Sequence, residues 1–561
     1  MKITYMNFKN YFSKNYNFLN VIFFLLLILF GFFVRVGDLD RYAFSQDEYW
    51  HLYISNTDNL TELFKNIFRE EVHPPLSFII WHYALKISHN ELWLRMFSII
   101  PGLLLIPSIY VFGRLFISKN AGYFLSAFVT FGSMLMTLSV AIRAYSILFL
   151  IMCWMTIFIY RYIKKPKNKY LFYYFFLGFL AIQTHHGVSF FIFALATALI
   201  YDSFFKKNKK HLLKIIFGHF VLCLQLLLHF YLLFYLFDFV PNNFPKEFGN
   251  FIHSLFYSIF SLNLSEVTNF NYGELNNELI KFLDIFQIFS FFSVTIFLIK
   301  KKKWLLLNII FLPIFLNSAT SVLKLYPLFL ENIRRLTIYY INFLIFAFYS
   351  WYIIFWYISK KIKLNFIEPR ILILLFSAPL FYYVSTHNYL KNSYPNCFEY
   401  FEKEDENIFY QKLDQHVKED GNVVILPAKA IWKFKFLKDG KIERISKYLA
   451  ILHKENYKIY IIGYEERTAL LNEKYKEEVF NLIKADSKKQ KIKSITLGDI
   501  CYENYNCNVF YGNSKNSEDF YFFKNMNLSY IEDRFYFKND ISKSCQLSIS
   551  FVKFNQNIIQ N

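Results

Sequence analysis

Long apolar runs alternate with short basic clusters along the chain up to about residue 387, and that alternation predicts a bundle of membrane helices. Runs of about 18 or more apolar residues have the length of a membrane span. The pattern gives spans over 18–36, 96–116, 120–140, 146–162, 170–183, 188–204, 212–238, 280–299, 304–320, 336–358 and 370–387, eleven in all. The first is too long for a signal-peptide core and no small-residue cleavage site follows it, so it reads as a retained helix. Residues 76–88 are apolar but only 13 long and follow two prolines. They are read as a helix lying flat on the membrane surface within an outer loop that runs from about Gly37 to Arg95.

Beyond residue 388 the pattern changes. Apolar runs shorten to strand length, in Asn422–Pro427 and Tyr457–Gly463, and Ile445, Tyr448, Leu449 and Leu452 between them recur at helical spacing. From about 508 the chain alternates in strand fashion. The expected architecture is therefore a polytopic α-helical membrane domain over 1–387, followed by a small α/β or α+β domain outside the cytoplasm over 388–561. No internal repeat and no Gly- or Ser-rich linker interrupts it.

Composition agrees with the membrane reading: 55% of residues are hydrophobic and 22% aromatic, with a mean hydropathy of +0.26. The formal charge of +20 does not point to nucleic acid. Its Lys and Arg cluster between apolar runs, where they fix topology and meet anionic lipid headgroups. Lys2, Lys9 and Lys14 put the N-terminus in the cytoplasm. Arg114 with Lys119, Arg161 through Lys169, Lys206–Lys214, Lys300–Lys303 and Lys360–Arg370 then all fall inside, provided that 76–88 does not span. Cys153 and Cys223 lie in apolar runs; Cys397, Cys501, Cys507 and Cys545 lie in the C-terminal part. Outside the cytoplasm those four allow two disulfides in three pairings, and in a reducing compartment they stay thiols.

The opposite face collects Asp47, Glu48, His73, Arg95, Arg143, His185, His186, Lys324, Arg334 and Arg335. Asp47 and Glu48 stand in Ser45-Gln46-Asp47-Glu48, just after the first span. A carboxylate in a partly dehydrated cleft suits the work of a general base, although Ser45 and Asp47 also suit helix capping. Pro74-Pro75 fixes the backbone at a helix start and leaves His73 at its N-terminus. Arg143, Arg334 and Arg335 open helices at their outer ends, where a guanidinium holds phosphate through its fork of donors. The bland alternative for each Arg is snorkelling or pairing with loop acids. Arg95 is a substrate-binding candidate that also has the option of pairing with Glu48 or Glu91. His185 and His186 are adjacent and so do not face the same way. A divalent metal held by them with Asp47, Glu48 and His73 is the lesser reading, a sugar-binding or structural role the greater, and no cofactor is assigned. His82, His219 and His229 sit in apolar helices and read as packing or interhelical hydrogen bonds. No Walker-type loop, Rossmann fingerprint or cytoplasmic DxD domain is present, which argues against ATP-driven transport and nucleotide-sugar donors.

Taken together and in order, Asp47-Glu48, His73-Pro74-Pro75-Leu76, Arg95-Met96-Phe97-Ser98 and Arg143-Ala144-Tyr145-Ser146 resemble the membrane glycosyltransferases of the GT-C class. The nearest likeness is to the bacterial branch related to protein O-mannosyltransferases and aminoarabinose-lipid transferases. His185-His186 and Glu331-Asn332-Ile333-Arg334-Arg335 add weaker matches, and the resemblance covers roughly residues 15–360. It implies transfer of a sugar, with inversion, from a polyprenyl-phosphate donor to a lipid, glycan or protein acceptor on the outer face of the membrane. It further implies that the first-loop Asp is the base or orients the acceptor. Arg334-Arg335 departs from the Arg-Tyr often found there. A lipid or sugar flippase and an inactive membrane scaffold are the rivals. The first predicts mid-membrane charges and inverted repeats.

Overall fold

A computed structural model describes residues 16–37, 39, 46–70, 73–131, 133–205, 209–237, 295–296, 298–300 and 302–322, and seven strands between 422 and 554. The chain divides into two compact units: Met1–Gly37 with Ile54–Tyr389, and Asp38–Tyr53 with Leu390–Asn561.

Among its described residues the first unit is helical. Its helices are α1 (Tyr16–Val36), α3 (Leu60–Glu70), α4 (Leu76–Ile87), α5 (Glu91–Phe116), α6 (Lys119–Phe131), α7 (Ser133–Val140), α8 (Tyr145–Lys164), α9 (Asn168–Thr184), α10 (Val188–Phe205), α11 (Lys209–Phe237) and α12 (Trp304–Val322); α2 (Gln46–Ser55) crosses the boundary between the units. Five stretches among the described residues are long and apolar enough to cross a membrane: Phe18–Val36, Glu91–Phe116, Tyr145–Lys164, Val188–Phe205 and Lys209–His229. Each falls on an expected span. The expected spans at 336–358 and 370–387 and nearly all of 280–299 lie outside the described residues.

Helix α5 is the hub, packing against α1, α4, α6, α7 and α8. Close approach is bought with small residues, as membrane helices require. A Cβ on Gly113 of α5 would lie 2.7 Å from Cα of Gly122 on α6. Around that crossing Tyr110 and Tyr123 stack at 4.8 Å, with Phe24 of α1 against both.

Two segments differ from the sequence reading. The expected single span 120–140 is divided: α6 stops at Phe131 and α7 starts at Ser133. With 13 and 8 residues, the pieces reach only about 20 and 12 Å at 1.5 Å per residue, too short to span alone. The outer loop also holds more structure than expected. Besides α4 it contains α3, whose Leu63 and Ile67 are fully buried and which packs on α4 and α11. Asn59 starts α3 by accepting from the Glu62 N–H at 3.0 Å, and the Glu62 carboxylate accepts from the Asp58 N–H at 3.3 Å, close to a capping box.

Helix α4 is present where expected. Its 12 residues reach about 18 Å, short of the membrane's apolar thickness. It is no bare surface helix, because Phe78, Trp81, His82, Ala84 and Leu85 are buried. The Trp81 indole donates to the Leu94 carbonyl and the Trp93 indole to the Ala84 carbonyl, each at 3.0 Å, locking α4 onto the start of α5. His82 Nδ1 meets the Ser55 carbonyl at 3.1 Å.

In the second unit seven strands form one sheet: β1 (Asn422–Pro427), β2 (Lys441–Arg444), β3 (Leu449–Lys454), β4 (Tyr457–Ile462), β5 (Ser494–Tyr502), β6 (Leu528–Lys538) and β7 (Cys545–Phe554). Their order is β2-β3-β4-β1-β5-β7-β6. Strand β1 is parallel to β4 and β5, and the remaining pairings are antiparallel. The strand expected at 422–427 is there, and the run expected at 457–463 forms a strand over Tyr457–Ile462. The helical spacing read around 445–452 is corrected: Leu449–Lys454 is a strand paired with β4 from Leu449↔Ile462 to Lys454↔Tyr457. Only Glu455 and Asn456 separate the partners, the spacing of a tight hairpin. Cys501 stands across from Gln546 and Cys545 across from Tyr502, so these two cysteines are not cross-strand partners.

Candidate functional site

Three segments that each immediately precede a helix meet at one end of the first unit. His73 comes ahead of α4, Arg143 ahead of α8 and His185 ahead of α10. The Arg143 guanidinium donates to Nε2 of His73 at 3.3 Å, and the rings of His73 and His185 lie 5.2 Å apart. Tyr145, the first residue of α8, sits 6.2 Å from the His185 ring. Neither α4 nor α8 has a side-chain cap: Pro75 and Ala144 occupy the cap positions without a side-chain bond. Each helix start carries a partial positive charge on its leading N–H groups. The convergence of two or three such ends around a guanidinium makes an environment suited to an anion.

Ring tautomers follow from the donors. Arginine only donates, so Nε2 of His73 accepts and its proton is on Nδ1. Nδ1 of His185 accepts from the Gly187 N–H at 3.1 Å, leaving the proton on Nε2. His73 therefore spends on Arg143 the lone pair that a metal would take there. Among the described residues no group of three or more His, Cys, Asp and Glu is arranged to hold a metal ion. The donor set fits a hydrogen-bonded anion better than a cation.

The turn carrying Arg143 is held from below. Arg95, 1% exposed, donates to the Val140 carbonyl at 2.9 Å and pairs with Glu91 at 3.3 Å. Ser98 donates to the Ala141 carbonyl at 2.5 Å and reaches the Arg143 carbonyl at 3.4 Å. Glu91, one of the two partners considered for Arg95, is in contact with it. The adjacent histidines divide, as their spacing implies. His185 joins His73, while the His186 ring lies 4.2 Å from His229 of α11. His219 bonds the Tyr174 hydroxyl at 2.9 Å, an interhelical contact of the expected kind.

Asp47 and Glu48 lie in the first turn of α2. Glu48 is buried, and Asp47 is described by its backbone alone. Arg334, Arg335 and Lys324 lie outside the described residues. Sequence reasoning missed Ser98, which the Arg95-Met96-Phe97-Ser98 segment offered, and Tyr145. The basic residues gather at the other end of the helices. Arg114 is in the last turn of α5, and Arg161 and Lys164 are in that of α8.

Residues 72–229 match the family of dolichyl-phosphate-mannose-protein mannosyltransferases. Solved structures of two proteins resemble the chain. ArnT from Cupriavidus metallidurans in its apo state is 11% identical with a TM-score of 0.50, over 94% of this chain and 97% of that one. The same protein bound to undecaprenyl phosphate is also 11% identical, with a TM-score of 0.46 over the same shares. The oligosaccharyltransferase of Archaeoglobus fulgidus, in complex with Zn and sulfate, is 12% identical with a TM-score of 0.47, over 85% of this chain and 68% of that one. No curated protein matches the chain. The family match spans His73, Arg95, Arg143, His185 and His186. It agrees with the resemblance read from the sequence over that part of the chain.

Proposed function

We propose that the chain transfers a sugar from a polyprenyl-phosphate donor to a lipid, glycan or protein acceptor at the outer face of the cytoplasmic membrane. The observation that carries this reading is the junction of His73, Arg143 and His185 at helix starts, with the Arg143–His73 bond at 3.3 Å. That junction suits the donor phosphate. The matching family is named for a dolichyl-phosphate sugar donor, and ArnT has been solved with undecaprenyl phosphate.

In the reaction, an acceptor hydroxyl or amine attacks the anomeric carbon from the face opposite the phosphate. Asp47 takes the acceptor's proton as the new bond forms, and the sugar inverts. The bond from the anomeric carbon to the phosphate oxygen breaks, releasing polyprenyl phosphate. Negative charge grows on that phosphate in the transition state, so a guanidinium there aids the chemistry as well as binding. Arg143 serves in this role, with Arg334 and Arg335 as further donors to phosphate. His73, His185 and His186 shape the sugar side, and Glu48 orients the acceptor. The positive-inside distribution supports an outward-facing site, with the N-terminus in the cytoplasm and the C-terminal unit outside.

The test is mass spectrometry of envelope glycolipids, glycans and glycoproteins from wild type, a deletion strain and the deletion complemented with Asp47→Asn. A sugar-sized mass lost in both mutants supports the reading and identifies sugar and acceptor. Full rescue by Asp47→Asn removes Asp47 from the mechanism.

A further inference from the structure

Arg35 is fully buried in the last turn of α1, within a stretch otherwise apolar enough to span a membrane. A cation there is costly and calls for a reason. Its guanidinium donates from Nε to the Ser139 hydroxyl at 2.6 Å, and from its two terminal nitrogens to the carbonyls of Gly31 at 3.0 Å, Thr130 at 3.2 Å and Val129 at 3.2 Å. Val129 and Thr130 belong to the last turn of α6, whose carbonyls lose their helical partners where the helix stops. Ser139 belongs to the last turn of α7. One side chain therefore bridges the break between the two short helices. The slot is cut for it: a Cβ on Gly31 would lie 3.1 Å from an Arg35 terminal nitrogen, and one on Gly102 would lie 2.5 Å from Cβ of Ser139.

Only Val140, Ala141 and Ile142 separate Ser139 from Arg143. The Val140 and Ala141 carbonyls are already fixed by Arg95 and Ser98. Helix α7 thus acts as a short lever, pinned at Ser139 by Arg35 and ending at the turn that presents Arg143 to His73. We infer that Arg35, through Ser139, is a positioning residue for Arg143. This role rests on the proposed function, in which Arg143 holds the donor phosphate. An unbroken span over 120–140 would need no buried guanidinium, whereas a broken one leaves free carbonyls that the planar fork of an arginine matches and a lysine does not.

The experiment uses the full chain in lipid nanodiscs, with undecaprenyl phosphate as the binding probe and its sugar conjugate as donor. Ser139→Ala, Gly102→Ala and Arg35→Lys are made alone and together with Arg143→Ala. Each single variant is expected to raise donor KM about tenfold with kcat changed less than twofold, and to add nothing further in the Arg143→Ala background. Amide exchange over 139–143 is expected to speed up in Ser139→Ala. Ser139→Ala leaves the Arg35 guanidinium in place, whereas Arg35→Lys keeps the charge and loses the fork. Losses that multiply with Arg143→Ala, or an unchanged donor KM in Ser139→Ala, overturn the positioning role while leaving the proposed function intact. A wild-type protein that neither binds undecaprenyl phosphate nor transfers sugar overturns the proposed function, and with it the role of Arg35.

Discussion

Arg143 donates a hydrogen bond to Nε2 of His73 at 3.3 Å, tying together two segments seventy residues apart in sequence. A neutral imidazole nitrogen is a modest acceptor, and a phosphate oxygen is a stronger one because the bond is then charge-assisted. Donor binding is therefore expected to draw Arg143 off His73. Losing a hydrogen bond to a charged partner costs about 1.5–3 kcal/mol, which is roughly 10–150-fold in affinity. Arg143→Ala is expected to raise the donor KM by that factor. Arg143→Lys, which keeps the charge and loses the fork, is expected to fall between it and wild type. Steady-state kinetics with a synthetic polyprenyl-phosphate sugar checks both, and a wild-type KM in Arg143→Ala rules out phosphate binding by this residue.

The carboxylates at the start of α2 have different expected roles. A positioned general base contributes on the order of 10²–10⁴-fold to rate. Asp47→Asn is expected to lower kcat by that range while donor binding and expression stay as in wild type. Glu48→Gln is expected to act mainly on the acceptor KM, since Glu48 is assigned to orient the acceptor. A kcat loss larger in Glu48→Gln than in Asp47→Asn exchanges the two roles.

Where the sequence pattern was strong, the structure follows it. Each of the five spans with membrane length and composition falls on a predicted run, and α4 lies where a stretch too short to span was read. Periodicity alone misled in two places. Over 120–140 apolar character is continuous, so nothing in the hydropathy announces that one helix ends at Phe131 and another starts at Ser133. Around 445–452, Ile445, Tyr448, Leu449 and Leu452 fit a helix by spacing. Leu449 and Ile451 also alternate as a strand, and the short Glu455-Asn456 link to the next apolar run favours the hairpin. The site was legible as a set of residue types, because Arg143, His73 and His185 stand as isolated Arg and His on the face that lacks the basic clusters. The role of Arg35 was not. A lone Arg at a helix end reads as a snorkelling residue until its four acceptors, spread over three helices, are known.

Docking of α4 decides where His73 stands, and two indoles hold it. Trp81→Phe keeps most of the ring and removes the donor to the Leu94 carbonyl, at an expected cost of about 1 kcal/mol. Trp81→Ala removes the fully buried side chain as well, at an expected cost of about 3–5 kcal/mol. Asn90, which caps α5 by accepting from the Trp93 N–H at 3.1 Å, is expected to cost about 1 kcal/mol as Asn90→Ala. Thermal unfolding in detergent ranks the three variants. Amide exchange at α4 is expected to rise most for Trp81→Ala, and equal exchange in all three variants counts against the indoles as the lock.

The two ends of the helices in the first unit differ in charge, and that difference predicts their placement. His89 sits between α4 and α5 near the candidate site's end, while Lys167 sits between α8 and α9 among the basic residues; both are exposed. Helix α5 starts at the first end and α8 finishes at the second, so the two positions belong to opposite faces of the bundle. Clustered Lys and Arg favour the cytoplasm. In a chain stripped of its six native cysteines, His89→Cys is expected to react with a membrane-impermeant maleimide in intact cells, or in spheroplasts where an outer membrane intervenes. Lys167→Cys is expected to react only after the membrane is opened. The reverse pattern turns the site toward the cytoplasm, where polyprenyl-linked sugars would have to be met on the inner leaflet. Labelling of both positions from outside is incompatible with a bundle whose helices cross the membrane between them.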